Sequence, residues 1–399
     1  MNLLFCNYEY PPLGGGGGVV MAALARELAR RHSVTVLTSR ALHLPAESLE
    51  EGVRVLRVPV FFRRELAVAN APSMLAYLPM GALRALSLRS GRQFDLINTH
   101  FVVPTGPLGQ FLATRFDVPN VLSVHGGDLY DPSKRSSPHR HWWLRVWIRR
   151  LLLRADAIVG QSRDTLARVE QIYGVQRRTE LVPLGIVRPP AVSGIARDVF
   201  GLPTDAFVMV TVGRLVARKA TEQLLDVLQH CGRPTAHLLI VGDGPELESI
   251  RRGAQMRGVA QRVHLAGQVD DAQKFAALSL ADVFVSTSQH EGFGLVFLEA
   301  MAYGLPIVCY DRGGQSDFLR TGETGSVVAL NDRAAFTRAV IDLHDDLPLR
   351  RRLGDNNRRY LEEYLIERCA QRYEAVFETA LRNRRDGMLQ QRAASSEPS

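Results

Sequence analysis

Glu291-Gly-Phe-Gly-Leu-Val-Phe-Leu-Glu299 is the stretch on which the reading of this sequence turns. Two carboxylates bracket a Gly-Phe-Gly turn that leaves a β-branched run, Val283 to Ser286, and opens a helical pattern, Leu295 to Tyr303. Gly292 and Gly294 let the backbone pass close to a ligand. The amides at the helix start, Phe293, Gly294, Leu295 and Val296, lack intrahelical acceptors and form an anion site that suits a pyrophosphate. Glu291, in the loop, can accept hydrogen bonds from sugar hydroxyls, and Glu299, one turn into the helix, can reach the two hydroxyls of a ribose. The plain alternative is a solvated loop glutamate and a surface helix glutamate.

Outward from this block the second half repeats one grammar. The runs Phe207 to Val212, His237 to Val241, Val263 to Leu265, Val283 to Ser286 and Pro306 to Cys309 read as strands. Helical patterns separate them at Thr221 to His230, Glu246 to Arg257, Ala272 to Ser279 and Leu295 to Tyr303. This alternation predicts a doubly wound parallel α/β sheet. Val212-Gly213-Arg214-Leu215 leaves a strand and Lys219 follows, so two cations stand at the carboxyl edge where such sheets bind ligands. Arg214 offers a fork for phosphate oxygens and Lys219 a mobile point charge, unless both are exposed loop residues. Val241-Gly242-Asp-Gly-Pro-Glu246 is a tight strand-to-helix turn, equally scaffold or nucleotide contact, and Tyr310 to Asp317 reads as another turn on the same edge.

The first half shows the pattern less cleanly, with strands Leu3 to Asn7, Ser33 to Leu37, Val53 to Arg57, Leu96 to Asn98 and Asn120 to Val124 and a helix Val19 to Arg31. Gly14 to Gly18 lies between strand one and helix one, where the amides of Gly15 and Gly16 could approach a phosphate or sugar. A dehydrogenase can carry such a run too, but an acidic ribose partner about 20 residues beyond it is missing. The strand ending at Val124 delivers His125-Gly-Gly-Asp128 to its carboxyl end, which places an imidazole and, on the acceptor side, the carboxylate of Asp128.

A chain of 399 residues exceeds what one hydrophobic core organises, so two domains are expected: 1–187, and 188–366 after the Pro-rich stretch Arg188 to Gly194. Charged helical patterns follow at Arg350 to Tyr364 and Glu367 to Arg384, and the polar stretch 386–399 is expected to be disordered. With 46% hydrophobic and 23% charged residues the composition is that of an ordinary globular protein, and the net charge of +8 favours anionic partners. Four scattered cysteines signal neither a zinc site nor a disulfide framework and fit the cytoplasm. There is no Asp-x-Asp dyad for a divalent metal and no window of roughly 20 apolar residues, and the short apolar start Leu3 to Cys6 is not expected to act as a signal peptide. Pro138 to Arg154 holds all three tryptophans, five arginines and no acid. This helix reads either as a contact with an anionic membrane, spanning 139–154, or as a core helix with snorkelling arginines. Nucleic-acid binding is not expected, because no recognised module accompanies the charge.

Taken together, Gly14 to Gly18, His125-Gly-Gly-Asp128, Gly213-Arg214-Leu215 with Lys219, Gly242 to Glu246 and Glu291-Gly-Phe-Gly-Leu with Leu298-Glu-Ala-Met-Ala-Tyr-Gly-Leu-Pro306 resemble the retaining GT-B glycosyltransferases of family four, glycosyl transferases group 1, over nearly the whole chain. The resemblance implies two Rossmann-like domains facing across a cleft, the donor held by the C-terminal one, the acceptor by the N-terminal one, and a last helix, about 367–384, crossing back. It makes Arg214 and Lys219 the diphosphate ligands, Glu291 the donor-sugar ligand, Glu299 the ribose ligand and His125 the residue beside the hexose. The implied reaction is metal-independent, retaining transfer of a hexose from a UDP- or GDP-linked sugar to a glycolipid or saccharide acceptor, without cofactor. Ala220 stands where glycine usually follows the lysine, Asp317 where glutamate is common, and Pro183-Leu184-Gly185 where Pro-Asn-Gly is expected; these departures bear on donor preference. The rival expectations are a nucleotide-sugar epimerase on the same scaffold and a non-catalytic nucleotide-sugar-binding protein at a membrane.

Overall fold

Strands that are apolar on both faces must be covered on both faces, which a parallel sheet with crossover helices achieves. The computed structural model describes residues 1–41, 44–61, 71–88, 94–131, 137–176 and 178–395. The chain divides into two units, Met1–Gly185 with Ile366–Ser399, and Ile186–Leu365.

In the first unit the chain order is β1 (Asn2–Cys6), α1 (Gly16–Ala29), β2 (Ser33–Arg40), β3 (Glu47–Glu50), β4 (Val53–Pro59), α2 (Ala71–Leu86), β5 (Leu96–His100), α3 (Gly106–Phe116), β6 (Asn120–Val124), α4 (Trp142–Arg154), β7 (Ala157–Gly160), α5 (Arg163–Tyr173) and β8 (Thr179–Leu181). The sheet order is β3-β4-β2-β1-β5-β6-β7-β8, parallel throughout except for the antiparallel edge pair β3 and β4. The order reverses beside β1, whose neighbours are β2 and β5. The loops after β1 and β6 and the end of β5 therefore share the carboxyl edge, and they carry the glycine run, His125 and His100.

The second unit runs β9 (Phe207–Val212), α6 (Gln223–His230), β10 (Ala236–Val241), α7 (Leu247–Met256), β11 (Val263–Gly267), α8 (Asp271–Leu280), β12 (Val283–Ser286), α9 (Leu295–Ala302), β13 (Ile307–Tyr310), β14 (Gly325–Val328), α10 (Arg333–Asp345) and α11 (Leu347–Leu361). Its sheet is wholly parallel in the order β11-β10-β9-β12-β13-β14. The reversal falls between β9 and β12, so the loops bearing Arg214 and Glu291 open side by side.

The last helix, α12 (Ile366–Ser395), belongs to the first unit. Cys369, Ala370, Tyr373 and Phe377 are buried in one core with Phe5, Leu24 and Leu28. Full burial of a side chain the size of Phe377 stabilises this docking by about 1.5–3 kcal/mol.

Two expectations need correction here. Helix one begins at Gly16, not Val19, so most of the glycine run forms its first turn, where Gly18 N–H bonds Gly15 O at 3.0 Å. The polar stretch after Asp386 continues α12 to Ser395; Leu389, Gln390, Arg392 and Ala393 are good helix formers that extend an anchored helix without an apolar stripe. Residues 396–399 lie outside the described residues. No helix among the described residues is long and apolar enough to cross a membrane.

Candidate functional site

The second unit assembles its charged groups from three consecutive loops at one sheet edge. Thr287, just past β12, donates to the carbonyls of Ala220 at 2.9 Å and Lys219 at 3.3 Å, and Gln289 N–H donates to Arg218 O at 2.9 Å. These bonds lock the loop after β9 to the loop after β12. The Lys219 ammonium is thereby set against the Glu291 carboxylate as an ion pair, while Arg218 approaches the other oxygen at 3.5 Å and also donates to His290 O. Glu291 is 6% exposed. Burial alone pushes its carboxyl up, but the charges of Lys219 and Arg218 outweigh that and hold it below the ordinary range, so it is ionised at neutral pH.

The third loop fixes Glu291 from behind. Its N–H donates to Arg312 O at 3.1 Å, and its carbonyl accepts from Gly314 N–H at 2.9 Å. Gly313 has φ 115°, and a Cβ there would lie 1.9 Å from the Glu291 carbonyl oxygen, so only glycine fits.

Arg214 is exposed, and among the described residues its guanidinium has no hydrogen-bond or ion-pair partner. A Cβ on Gly213 would sit 3.6 Å from Lys219 Cε, so the lysine stem lies over the turn that carries Arg214. The amides of Gly213 and Gly242 are already spent, on Val241 O at 2.9 Å and Gly267 O at 2.8 Å. A Cβ on Gly242 would come 2.0 Å from Gly213 O; the glycine is explained by the packing of two turns. Helix α9 starts after Gly294, in the left-handed region at φ 93°, and no side chain among the described residues caps it. Leu295 and Val296 thus offer amides that the helix itself does not satisfy. The Phe293 side chain is buried against Phe318, with ring centroids 5.1 Å apart, which leaves only its backbone for a ligand.

Glu299 is tied to Lys274 of α8, Nζ to Oε1 2.9 Å, and Lys274 also meets Asp271 at 3.0 Å. Burial raises the Glu299 carboxyl despite the ammonium beside it. Sequence reading missed Lys274 and Arg218, because neither sits in a recognisable turn with its partner.

In the first unit His125 is buried and its ring Nε2 lies 3.0 Å from His100 Nδ1. The Phe101 ring packs on it, tilted by 31° with centroids 4.3 Å apart, and Gln161 Nε2 donates to its carbonyl at 2.6 Å. Burial drives His125 down to about 4, so the ring is neutral. Asp128 does not face outward as an acceptor-side carboxylate. Its Oδ1 takes His125 N–H at 3.0 Å and its Oδ2 takes Val102 N–H at 2.7 Å, which makes it the clasp between two loops. Gly15 and Gly16 are exposed at the start of α1, but the Gly15 amide is already held by Glu9 Oε2 at 3.2 Å. Glu9 had given no signal in the sequence beyond lying ahead of two prolines.

The model "Glycosyl transferases group 1" matches residues 193–360, and "Glycosyltransferase Family 4" matches 14–187. The chain is 30% identical to a D-inositol 3-phosphate glycosyltransferase of Acidothermus cellulolyticus, covering 84% of this chain and 80% of the relative. It is 29% identical to a GDP-mannose-dependent alpha-(1-6)-phosphatidylinositol monomannoside mannosyltransferase of Mycolicibacterium smegmatis, over 86% and 89%. In fold it is similar to Anabaena HepE solved with UDP and glucose, at TM-score 0.74 and 20% identity over 95% of this chain and 100% of that one.

Proposed function

Because the chain belongs to the family-four, group 1 glycosyltransferases, we propose that it moves a hexosyl group from a UDP- or GDP-linked sugar to a lipid-linked or saccharide acceptor, with retention and without a metal ion. It is a hexosyltransferase that acts on nucleotide sugars, built on two parallel-sheet domains of the GT-B class. The finer assignment rests on one observation: Arg214, Arg218, Lys219 and the uncapped start of α9 come from adjoining loops at one sheet edge.

Departure of the leaving group builds negative charge on the nucleotide diphosphate, and preorganised cations and helix amides stabilise charge where it develops. Arg214 supplies an unpaired guanidinium and Lys219 the ammonium. Glu291 accepts from donor-sugar hydroxyls, and Glu299 from the ribose. Neutral His125 stands beside the hexose, in a first unit that receives the acceptor. On the face where the diphosphate leaves, its own oxygen can take the acceptor proton, which gives retention. The relative named for GDP-mannose and the neighbour solved with UDP keep both bases in the proposal.

For a lipid-linked acceptor the supporting feature is α4. Trp142 and Trp143 are 75% and 57% exposed, Arg145, Arg149 and Arg150 are exposed beside them, and Ile148, Leu151 and Leu152 anchor the opposite face. Such a face fits the headgroup region of an anionic membrane on the cytoplasmic side, where the four cysteines remain free. The test is acceptor-dependent release of UDP or GDP from its hexose conjugates by the purified chain in the presence of a chelator. Release that is indifferent to every glycolipid and saccharide acceptor would overturn the reading.

A further inference from the structure

Two histidines end neighbouring strands of the first unit, His100 on β5 and His125 after β6, and their rings meet at 3.0 Å through Nδ1 of the first and Nε2 of the second. One proton lies in that contact. Which ring owns it decides what the other edge of His125 presents.

One observation settles the direction. His100 is buried beside the rings of Phe5, at 5.6 Å, and Tyr373, stacked at 6.2 Å, and among the described residues its Nε2 has no partner. A proton on that Nε2 would be a buried donor with nothing to accept it, the rarer and costlier kind of orphan. The proton of His100 therefore sits on Nδ1 and points at His125.

We propose that His100 is the positioning residue for His125: by donating from Nδ1 to His125 Nε2, it holds His125 as the Nδ1–H tautomer, so the imidazole offers a sugar hydroxyl a hydrogen-bond donor instead of a lone pair. The catalytic consequence rests on the functional reading above; the tautomer does not. The surroundings fix the ring in place. Asp128 holds the backbone N–H of His125, and Phe101, a bulky residue kept at φ 68°, packs its ring on the imidazole. A Cβ on Gly17 would come 2.4 Å from the Phe101 ring, so the glycine run is packed against the same assembly. Helix α12 completes it through Tyr373, whose hydroxyl donates to Ser123 at 3.0 Å beneath His100. Strain of this kind persists where surrounding structure over-determines it, commonly at ligand-binding positions.

The test is a long-range proton–nitrogen correlation spectrum of the full chain labelled with 15N-histidine, with the His125 signals assigned from His125→Gln. The unaltered protein should show His125 protonated at Nδ1 and bare at Nε2. His100→Leu should mix the tautomers and lower kcat by on the order of 10-fold to 100-fold, with donor KM changed far less. His100→Asn, which restores an amide donor near the Nδ1 position, should recover most of the rate. A His125 protonated at Nε2 in the unaltered protein would overturn the proposal, as would a slow His100→Leu whose His125 tautomer is unchanged. Absence of any sugar transfer alongside the expected tautomer would count against the functional reading alone.

Discussion

Lys219 and Glu291, 72 positions apart in sequence, close on each other as an ion pair whose carboxylate is almost wholly buried. Removing one partner of a buried pair typically costs about 3–5 kcal/mol, because the other charge is left uncompensated. Glu291 thus does two things at once. It restrains the ammonium, and in the proposed reaction it accepts from the donor-sugar hydroxyls.

Glu291→Gln separates these roles. It frees Lys219 for phosphate while weakening the grip on sugar hydroxyls. Sugar transfer should fall by about 10²–10³-fold, whereas the affinity for UDP or GDP, read by calorimetry, should hold or improve. An unchanged transfer rate would show that Glu291 does not hold the sugar.

The Glu299 carboxyl is raised by burial, and the Lys274 ammonium at 2.9 Å opposes that rise. Lys274→Met removes that ammonium, so the carboxyl rises further and loses acceptor capacity as pH falls. Nucleotide affinity in this variant should drop by about tenfold between pH 8 and pH 6, with little change in the unaltered protein. Equal pH profiles would separate Glu299 from the ribose.

The two neutral histidines make the first unit acid-sensitive. Burial holds His125 at about 4, against 6.5 in an unfolded chain, and lowers His100 well below its ordinary value. Between those values the unfolded state binds protons that the folded state does not, so stability falls as pH drops from 6.5 towards 4. Asp128 opposes this. Burial pushes its carboxyl up to about 6, against the backbone hydrogen bonds from Val102 and His125, so its contribution is present at low pH and is lost as pH rises through 6. All three tryptophans lie in α4 of the first unit, so denaturation followed by tryptophan fluorescence reports this unit. Stability at pH 5 should be below that at pH 7, and Asp128→Asn should steepen the difference. A flat profile would contradict burial of the histidine pair.

Helix α4 gives a vesicle test. The double variant Trp142→Ser, Trp143→Ser should weaken partitioning to phosphatidylglycerol vesicles by on the order of tenfold or more, and raised salt should weaken the unaltered protein's binding by screening the arginines. Flotation that is identical for both proteins would dismiss the membrane contact.

The second sheet was legible because its strands are continuous β-branched runs bounded by glycine turns; Phe207–Val212 and Val283–Ser286 were read to the residue. Other elements lacked such marks. Edge strand β3 is Glu-Ser-Leu-Glu, with too little apolar content to read, and α2 carries Pro79 in its interior. In α4 apolar residues surround most of the wheel, so sequence could not say that Ile148 and Leu151 face the core while Trp142 and Trp143 stay outside. Among site residues, Glu291 and Arg214 stand in turns that announce themselves. Lys274 and Glu9 become visible only when folding brings a helix or loop to them, and Gly242 explains itself through the carbonyl of Gly213. His100 could have been found, since it ends a strand as His125 follows one.

The most direct measurement is calorimetric titration of UDP and GDP into the purified chain and into Arg214→Ala and Lys219→Ala. The unaltered protein should bind one of the two nucleotides, and each substitution should weaken it by about 1.5–3 kcal/mol, the worth of a hydrogen bond to a charged group. Unchanged affinity in both variants would mean that the diphosphate is not held at the loop after β9, and the account would fail there.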